Sequence, residues 1–217
     1  MTPPSHGGEP ATTLHRHAPG DPVDHRERRD DTRARILEAA LDLIADHGFA
    51  ATSTREISER LGFTKAALYY HFRTKDDLLA AIVGPAIEEL AALGGSASPD
   101  SPPADRRRAV EGYVDLVASH AKLVRVLMND PAVRLCRPLA AAKPHYDRLA
   151  QVFSGTEAPD TRQRTRVRAA MGAVHAAVLF ADVGDDPRDV RDTALAVACV
   201  ALGLPGGRRH PREGGTS

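Results

Sequence analysis

The sequence contains no tryptophan, and only 4% of its 217 residues are aromatic. A hydrophobic core must therefore come mostly from alanine, leucine and valine, within an apolar fraction of 42%. Strand signals are nearly absent too, since no stretch combines β-branched residues with the two-residue alternation of a half-buried strand. Small apolar side chains allow helices to approach one another closely. We therefore expect an all-α protein.

Cysteine is also scarce. The two cysteines, Cys136 and Cys199, are too few for a disulfide framework or a zinc site, and each is expected to be a small buried apolar side chain. A redox-sensing pair is a less favoured alternative, because it needs an exposed thiol with a low pKa and nothing in the nearby sequence supplies one.

Catalytic motifs are missing as well: the chain has no Gly-x-Ser-x-Gly, no glycine-rich phosphate loop and no His-Glu-x-x-His. The histidines near the N-terminus, including His15, His17 and His25, have no cysteine or second rigid ligand pair beside them, so a solvated tail is favoured over a metal site. We predict no enzymatic activity, no catalytic residue, no metal site and no cofactor.

We expect no apolar run to reach the length needed to cross a bilayer, and the first residues are polar and proline-rich, unlike a signal peptide. We expect a cytoplasmic protein without a membrane partner. The 29 basic side chains balance the 29 acidic ones. Any attraction to nucleic acid must therefore come from a local patch.

The segment from Ser53 to Thr74 carries such a patch on two short helices. Ser53 and Glu56 have the spacing of a capping box, Gly62 is placed to end the first helix, and Thr64 is placed to cap the second. These signals require a tight turn between the two helices. That is the geometry of a helix-turn-helix, whose second helix enters the major groove of DNA.

The outward face of the second helix is polar, aromatic or small. Lys65 is placed to reach guanine acceptors, and Tyr69, His71 and Lys75 are placed to donate to phosphates. Residues 55–75 hold five cations and two anions. Taken singly, each residue is more simply a packing or solvated side chain, but the combination favours DNA binding. The predicted contacts are Arg55, Lys65, Ala66, Ala67, Tyr69, Tyr70, His71 and Lys75, the alanines keeping the helix slim beside the bases.

From about Asp31 to Leu79 the sequence resembles the DNA-binding domain of TetR-family transcriptional regulators. The matching pieces are Ile36 to Ala40, His47-Gly48, Thr54 to Ser58, Leu61 to Thr64, and Leu68 to Phe72 with Thr74-Lys75. The resemblance places Thr54, Arg55, Lys65, Ala67, Tyr69, Tyr70, His71 and Lys75 where the family contacts its operator.

The resemblance also implies an architecture and a mechanism. An N-terminal three-helix helix-turn-helix domain is expected before a C-terminal helical ligand-binding and dimerisation domain. The expected function is that of a repressor, active as a homodimer on a palindromic operator of double-stranded DNA and released by an unknown small-molecule effector. Activation is rarer in the family.

The expected boundaries are a disordered tail over 1–30, the DNA-binding domain over 31–76, the ligand-binding and dimerisation domain over 77–204 and a disordered tail over 205–217. Helices are expected over 32–47, from Lys75 with a kink at Pro85, and over 104–119, 131–153, 161–182 and 187–203. Pro138 and Pro144 are expected to bend or divide the one over 131–153. The last two helices are apolar over so much of their circumference that we expect them to pair across a twofold axis.

A ligand pocket in the second domain would need a few polar anchors among apolar side chains. The candidates are Tyr113, His120, Met128, Asn129, Tyr146, Met171 and His175, with Arg134, Phe153 and Phe180 less favoured. For each, a satisfied core or surface residue is the alternative. For the whole chain, the alternative to a DNA-binding regulator is a helical small-molecule-binding or scaffold protein whose head does not bind DNA. Salt dependence of DNA binding separates these two functions.

Overall fold

The computed structural model describes residues 22–182 and 184–205, and within these ranges the chain has helices and no strand. The all-α prediction is confirmed. The described part contains α1 (Pro22–His47), α2 (Thr54–Leu61), α3 (Lys65–His71), α4 (Lys75–Gly95), α5 (Pro103–Ser119), α6 (Ala121–Asn129), α7 (Pro131–Arg134), α8 (Arg137–Ala140), α9 (Lys143–Ser154), α10 (Thr161–Leu179) and α11 (Pro187–Leu202).

Helices α1, α2 and α3 form an N-terminal bundle, the head, around one apolar cluster. Ile36 and Leu43 of α1, Ile57 of α2 and Leu68 of α3 are buried in it, and Phe72 closes it directly after α3. Ile36 and Leu43 are seven residues apart and so lie on one face of α1. This packing leaves the opposite side of α3 free for another role.

Helix α1 begins at Pro22, well before the predicted start at Thr32. The Thr32 hydroxyl donates to the carbonyl of Arg28 inside the helix (2.8 Å), so it does not cap a helix end. Residues 22–30, predicted to be part of the disordered tail, are therefore helical, while residues 1–21 lie outside the described ones. Charged residues give no apolar periodicity to detect, yet arginine and glutamate favour helix, and proline is tolerated at the first helical position.

Helices α4 to α11 form the second bundle, the body. Tyr113 of α5 and Phe153 of α9 are buried at its centre and contact each other edge to face, with ring centroids 5.9 Å apart. Aliphatic side chains such as Val110, Leu149 and Val174 surround them. The body thus has the small-residue core that the composition predicts.

Between residues 119 and 153 the body agrees with the prediction only in part. The stretch 131–153 is divided into α7, α8 and α9, as the two prolines predict, and Pro138 and Pro144 lie in the first turns of α8 and α9, where proline loses no intrahelical hydrogen bond. Helix α6 is not predicted at all. The chain breaks at His120, between α5 and α6, with neither glycine nor proline to mark the change. Helix α4 continues through Pro85.

The head and the body share a third apolar cluster. Ile44 of α1 and Phe49 after it pack against Val83 of α4, Val126 of α6 and Val133 of α7. The predicted domain boundary at residues 76 and 77 therefore falls at the start of α4, a helix that packs against both the head and the body. The boundaries themselves remain predictions.

By length and composition α4 is apolar enough to cross a membrane, with a mean hydropathy of 1.5, so the expectation that no apolar run reaches this length is wrong. In the structure its buried residues serve the core: Leu78 packs in the head, Leu79 between head and body, and Leu90 in the body. Core helices of soluble proteins can have the same length and composition, so this helix is weak evidence for a membrane span.

Candidate nucleic-acid interface

The helix-turn-helix is held by the caps that the sequence predicts. The Ser53 hydroxyl accepts from the backbone N–H of Glu56 (3.1 Å), and Thr64 accepts from Ala67 (3.2 Å). Gly62 adopts a left-handed conformation with φ of 66°, so a side chain there would be strained. Helices α2 and α3 are thereby fixed at a defined angle, and the outer face of α3 is presented as a rigid surface.

That outer face is polar and aromatic. Leu68 is buried, whereas Lys65, Ala66, Ala67 and Tyr69 are exposed. Tyr70 is the most open aromatic side chain of the helix, with 67% of its surface exposed. An exposed tyrosine pair beside two alanines offers hydroxyl groups at the rim and little bulk in the middle, which suits a helix that must approach base edges closely.

Three predicted contacts touch one another at the start of this face. The Lys65 ammonium lies over the Tyr69 ring, 5.7 Å from its centroid, and the Tyr69 hydroxyl is 3.5 Å from that of Thr54 on α2. The contact with Thr54 limits the movement of Tyr69. The lysine is exposed and can exchange its ring contact for an acceptor on DNA.

Arg55 lies beside this set, and its Nε donates to Glu59 one turn along α2 (2.7 Å). The hydrogen bond with Glu59 raises the pKa of Arg55, which stays charged. Exposed pairs of this kind stabilise a helix only weakly, because solvent screens the two charges. A phosphate can therefore take the place of the carboxylate at small cost.

His71, at the end of α3, is half-buried. Burial is the main cause that lowers its pKa, and the positive charges of Arg29 and Arg33 lower it further. The imidazole is therefore neutral at pH 7, and one ring nitrogen can donate to a phosphate while the other accepts. Arg29 stands in the segment assigned to the tail, where the sequence disfavours a basic arm along DNA because acidic residues balance the arginines, and Arg33 stands in the predicted first helix without a predicted role.

The structure does not bring Lys75 to this surface. Its ammonium donates to the carbonyl oxygen of Phe49 and lies over the Phe49 ring, 4.2 Å from the centroid. Burial lowers the pKa of Lys75. Its predicted contact with phosphate is therefore not supported, since the amine is already used inside the protein, between the start of α4 and the loop after α1.

A carboxylate from the body completes the same junction. Asp130, between α6 and α7, accepts from the backbone N–H of Phe49 (2.6 Å) and from that of Ala132 (2.9 Å). The bond from Phe49 is the main cause that lowers the pKa of Asp130. The Asp-Pro signal correctly predicts a helix start here but carries no sign of the contact with the head.

Four of the predicted ligand contacts are in or beside the core of the body. The Tyr113 hydroxyl and His175 Nε2 are 2.8 Å apart, and Met171 packs against the same core. Burial, followed by the nearby Tyr146, raises the pKa of Tyr113 well above its usual value, and burial lowers that of His175. Both are therefore neutral, and together they form a buried hydrogen-bonding group in apolar surroundings.

The other three ligand candidates lie elsewhere. His120 is paired with Glu89 (3.1 Å) where α5 ends, Met128 is exposed, and Asn129 lines an open cleft of about 440 Å³ between head and body. Of the less favoured candidates, Phe153 is buried beside Tyr113, whereas Phe180 is 80% exposed. Among the described residues, no group of three or more possible metal-binding side chains is found.

Residues 36–82 match the model of a family described as bacterial regulatory proteins, tetR family. An HTH-type transcriptional repressor of Mycobacterium tuberculosis is 29% identical over 99 residues, which are 46% of this chain and 52% of that protein. FasR, an HTH-type transcriptional activator of Mycolicibacterium smegmatis, is 29% identical over 122 residues, 54% of this chain and 55% of that protein.

The likeness extends over most of the chain in three dimensions. The crystal structure of a bacterial regulatory protein in the tetR family from Rhodococcus RHA1 is 26% identical, covers 80% of this chain and 97% of that one, and superposes with a TM-score of 0.58. The chain spans about half the length of the two curated relatives above, and only 29% of others that match at 41% identity. Sequence likeness is therefore concentrated in the head.

Proposed function

This chain belongs to the TetR family of bacterial regulatory proteins, and we propose that it is a cytoplasmic transcriptional repressor. It would bind a palindromic operator as a homodimer and leave it when a small-molecule effector binds. No catalytic role is part of this proposal. Its main support is the exposed face of α3, where Lys65, Tyr69 and Tyr70 stand on a helix that is capped, packed and fixed to α2.

Each residue of that face has a role in the proposal. Lys65 contacts the O6 and N7 acceptors of guanine, and Ala66 and Ala67 let the helix approach the bases. The side chains around them contact phosphates and set the position of the helix in the groove. They are Thr54, Arg55, Tyr69, Tyr70 and His71.

The homodimer would form through α10 and α11. On α11, Ala194, Leu195, Ala198 and Cys199 face the core, which leaves Val197 and Val200 on the outer side. Val197 is 48% exposed and Val200 is 79% exposed. An apolar stripe beside small residues is typical of a subunit interface. A twofold dimer would place its two α3 helices roughly 34–36 Å apart, one turn of DNA.

The effector would bind in the body, with Tyr113 and His175 as its polar anchors. These groups can exchange their mutual hydrogen bond for one to a ligand, and Tyr146 lies near enough to take part. The effector must bind better to a body conformation that moves the heads apart or together. Helix α4 and the contact of Asp130 with Phe49 would transmit that difference to the head.

Selection from a pool of random duplexes tests the DNA-binding part of the proposal. The purified protein should enrich an inverted repeat whose half-sites are one helical turn apart. A folded protein that enriches nothing at low salt would contradict the proposal and favour the alternative, a helical binding or scaffold protein with a DNA-incompetent head. A reporter gene placed behind the enriched sequence then distinguishes repression from activation, since the curated relatives include one of each.

Thermal shift tests the effector part separately. An effector present at 100 times its dissociation constant should stabilise the protein by about 2.7 kcal/mol. Apolar compounds with one or two hydrogen-bonding groups are the class to screen, because the anchors are few and the rest of the core is aliphatic. Should no member of a broad library of this class stabilise the protein, the pocket in the body loses its support.

A further inference from the structure

The N-terminal turns of α1 lie beside α3 and carry a row of arginines. Arg26, Arg29 and Arg33 are spaced three and four residues apart and so share one face of the helix. The Arg29 guanidinium lies over the Tyr70 ring, 5.1 Å from its centroid, and Arg33 lies over Phe72 at 5.4 Å. These contacts show that the arginine face is turned toward α3.

Between the row and α3 lies an open cleft of about 900 Å³. Its lining includes the three arginines of the row, together with Tyr70 and His71. Arg28 and Thr32 complete one wall, and Asp30 is the only acidic side chain in the lining. The cleft therefore joins the outer face of α3 directly and is strongly basic.

Arg29 and Arg33 are held by aromatic rings and not by carboxylates, and Arg26 lines the same cleft. Among the described residues, no ion pair is found for Arg26, Arg29 or Arg33. A guanidinium attracted to a ring retains N–H donors that can bind an anion at the same time. Arg29 and Arg33 are thus positioned by the protein, and the charges of the row are not neutralised by an ion pair, which is the state expected of a surface that meets phosphate.

We propose that Arg26, Arg29 and Arg33 form a second DNA contact, which grips the phosphate backbone beside the groove that α3 enters. This rests on the proposed function, because only a duplex bound on α3 brings its backbone to the cleft. The row is about 10 Å long at 1.5 Å per residue. Since each strand carries one phosphate per roughly 3.4 Å of duplex axis, the row can contact up to about three phosphates in each subunit.

The salt dependence of binding measures this contact. Wild type, Arg26→Ala/Arg29→Ala/Arg33→Ala and the matching triple lysine variant are titrated onto the selected operator, and onto a scrambled duplex, from about 50 to 300 mM salt. Each lost phosphate contact lowers the slope of log affinity against log salt by about 0.9. A dimer carries two rows, so the slope of the alanine variant should be smaller than that of wild type by about 2 to 5 on both duplexes. Its affinity for both duplexes should be about tenfold lower or more.

The lysine variant separates charge from packing, because it retains the three charges and should keep most of the wild-type slope. The control for charge loss is Arg108→Ala/Lys143→Ala/Arg148→Ala, three cations of the body that are already paired with Asp105, Asp147 and Glu157. That control should bind as wild type does. Circular dichroism should show all four proteins to be equally folded.

The outcomes are distinct. A wild-type protein that binds no duplex would overturn both the proposed function and this contact. Wild-type binding with an unchanged slope in the alanine variant would overturn the contact alone. An equal loss in the alanine and lysine variants would also overturn it, because the arginines would then act by packing against Tyr70 and Phe72.

Discussion

The carboxylate of Asp130 satisfies two backbone N–H groups, one at the start of its own helix and one in the head. Its sequence context, Asp followed by Pro, is that of a helix start and recurs at Asp186, which caps α11 through the N–H of Arg188 (2.8 Å). Only Asp130 has the additional bond to Phe49. The two Asp-Pro pairs are thus identical as local signals but have different roles. The difference depends on which element packs nearby, and the local sequence does not show that.

We expect Asp130→Ala to lower the free energy of unfolding by about 2–3 kcal/mol, because a helix cap and a second, charge-assisted hydrogen bond are both lost. Asp186→Ala is the matched control and should cost about 1 kcal/mol, since only a cap is lost. Urea unfolding at pH 7 measures both. Equal losses in the two variants would show that the contact with Phe49 contributes nothing.

The same residue makes a pH-dependent contribution. The pKa of Asp130 is lowered in the folded protein, so its stabilisation is complete above the ordinary aspartate pKa of about 3.9 and is lost as pH falls through the lowered value. The stability difference between wild type and Asp130→Asn should therefore be constant from pH 7 to 5 and shrink below pH 4. A difference that grows as the pH falls has the wrong sign for this account.

Tyr113 and His175 are predicted from the sequence only as candidates, because polar residues in an apolar helix can face either core or solvent. The structure pairs them at 2.8 Å. Tyr113→Phe should destabilise the protein by about 1–2 kcal/mol, since the phenyl ring still fills the space but leaves the imidazole without a partner. A double-mutant cycle with His175→Leu should give a coupling of at least about 0.5 kcal/mol. Strict additivity would mean that the bond is not stabilising.

At the scale of the element, helix ends with chemical signals are predicted well. The capping box at Ser53, Gly62 after α2 and Thr64 before α3 are all where the sequence places them. The failures share a cause. The first turns of α1 contain charged residues without apolar spacing, and the break at His120 has no signal of its own, so both depend on contacts with other helices.

The prediction at this scale concerns the proposed dimer interface of α10 and α11. Val197→Glu/Val200→Glu should convert a dimer to a monomer of 23.2 kDa, because two charges would be buried at the proposed interface. Leu135→Glu is the control, since Leu135 is 88% exposed and lies between α7 and α8, away from that surface. Light scattering after size exclusion gives the mass. A wild type that is already monomeric, or a double variant that remains dimeric, would contradict this interface.

At the scale of the whole molecule, the head and the body are joined in several ways. Helix α4 runs from one to the other, an apolar cluster around Phe49 packs between them, Asp130 accepts from the backbone N–H of Phe49, and Asp42 of α1 pairs with Lys122 of α6. A movement of α6 or α4 must therefore alter the head as well. Lys75 illustrates why this escapes sequence reasoning: a lysine next to a DNA-binding helix is expected to contact phosphate, and only the fold shows that it is bound to Phe49.

The central claim is that the outer face of α3 contacts bases through Lys65, and binding to single-base variants of the selected operator tests it. Wild type should lose about 1–3 kcal/mol at the base pair that Lys65 contacts. Lys65→Ala should lose that discrimination and keep it elsewhere, whereas Tyr69→Phe should weaken binding to every sequence alike. If Lys65→Ala instead binds all duplexes more weakly by the same factor and still discriminates at every position, Lys65 contacts only phosphate and the claim is wrong.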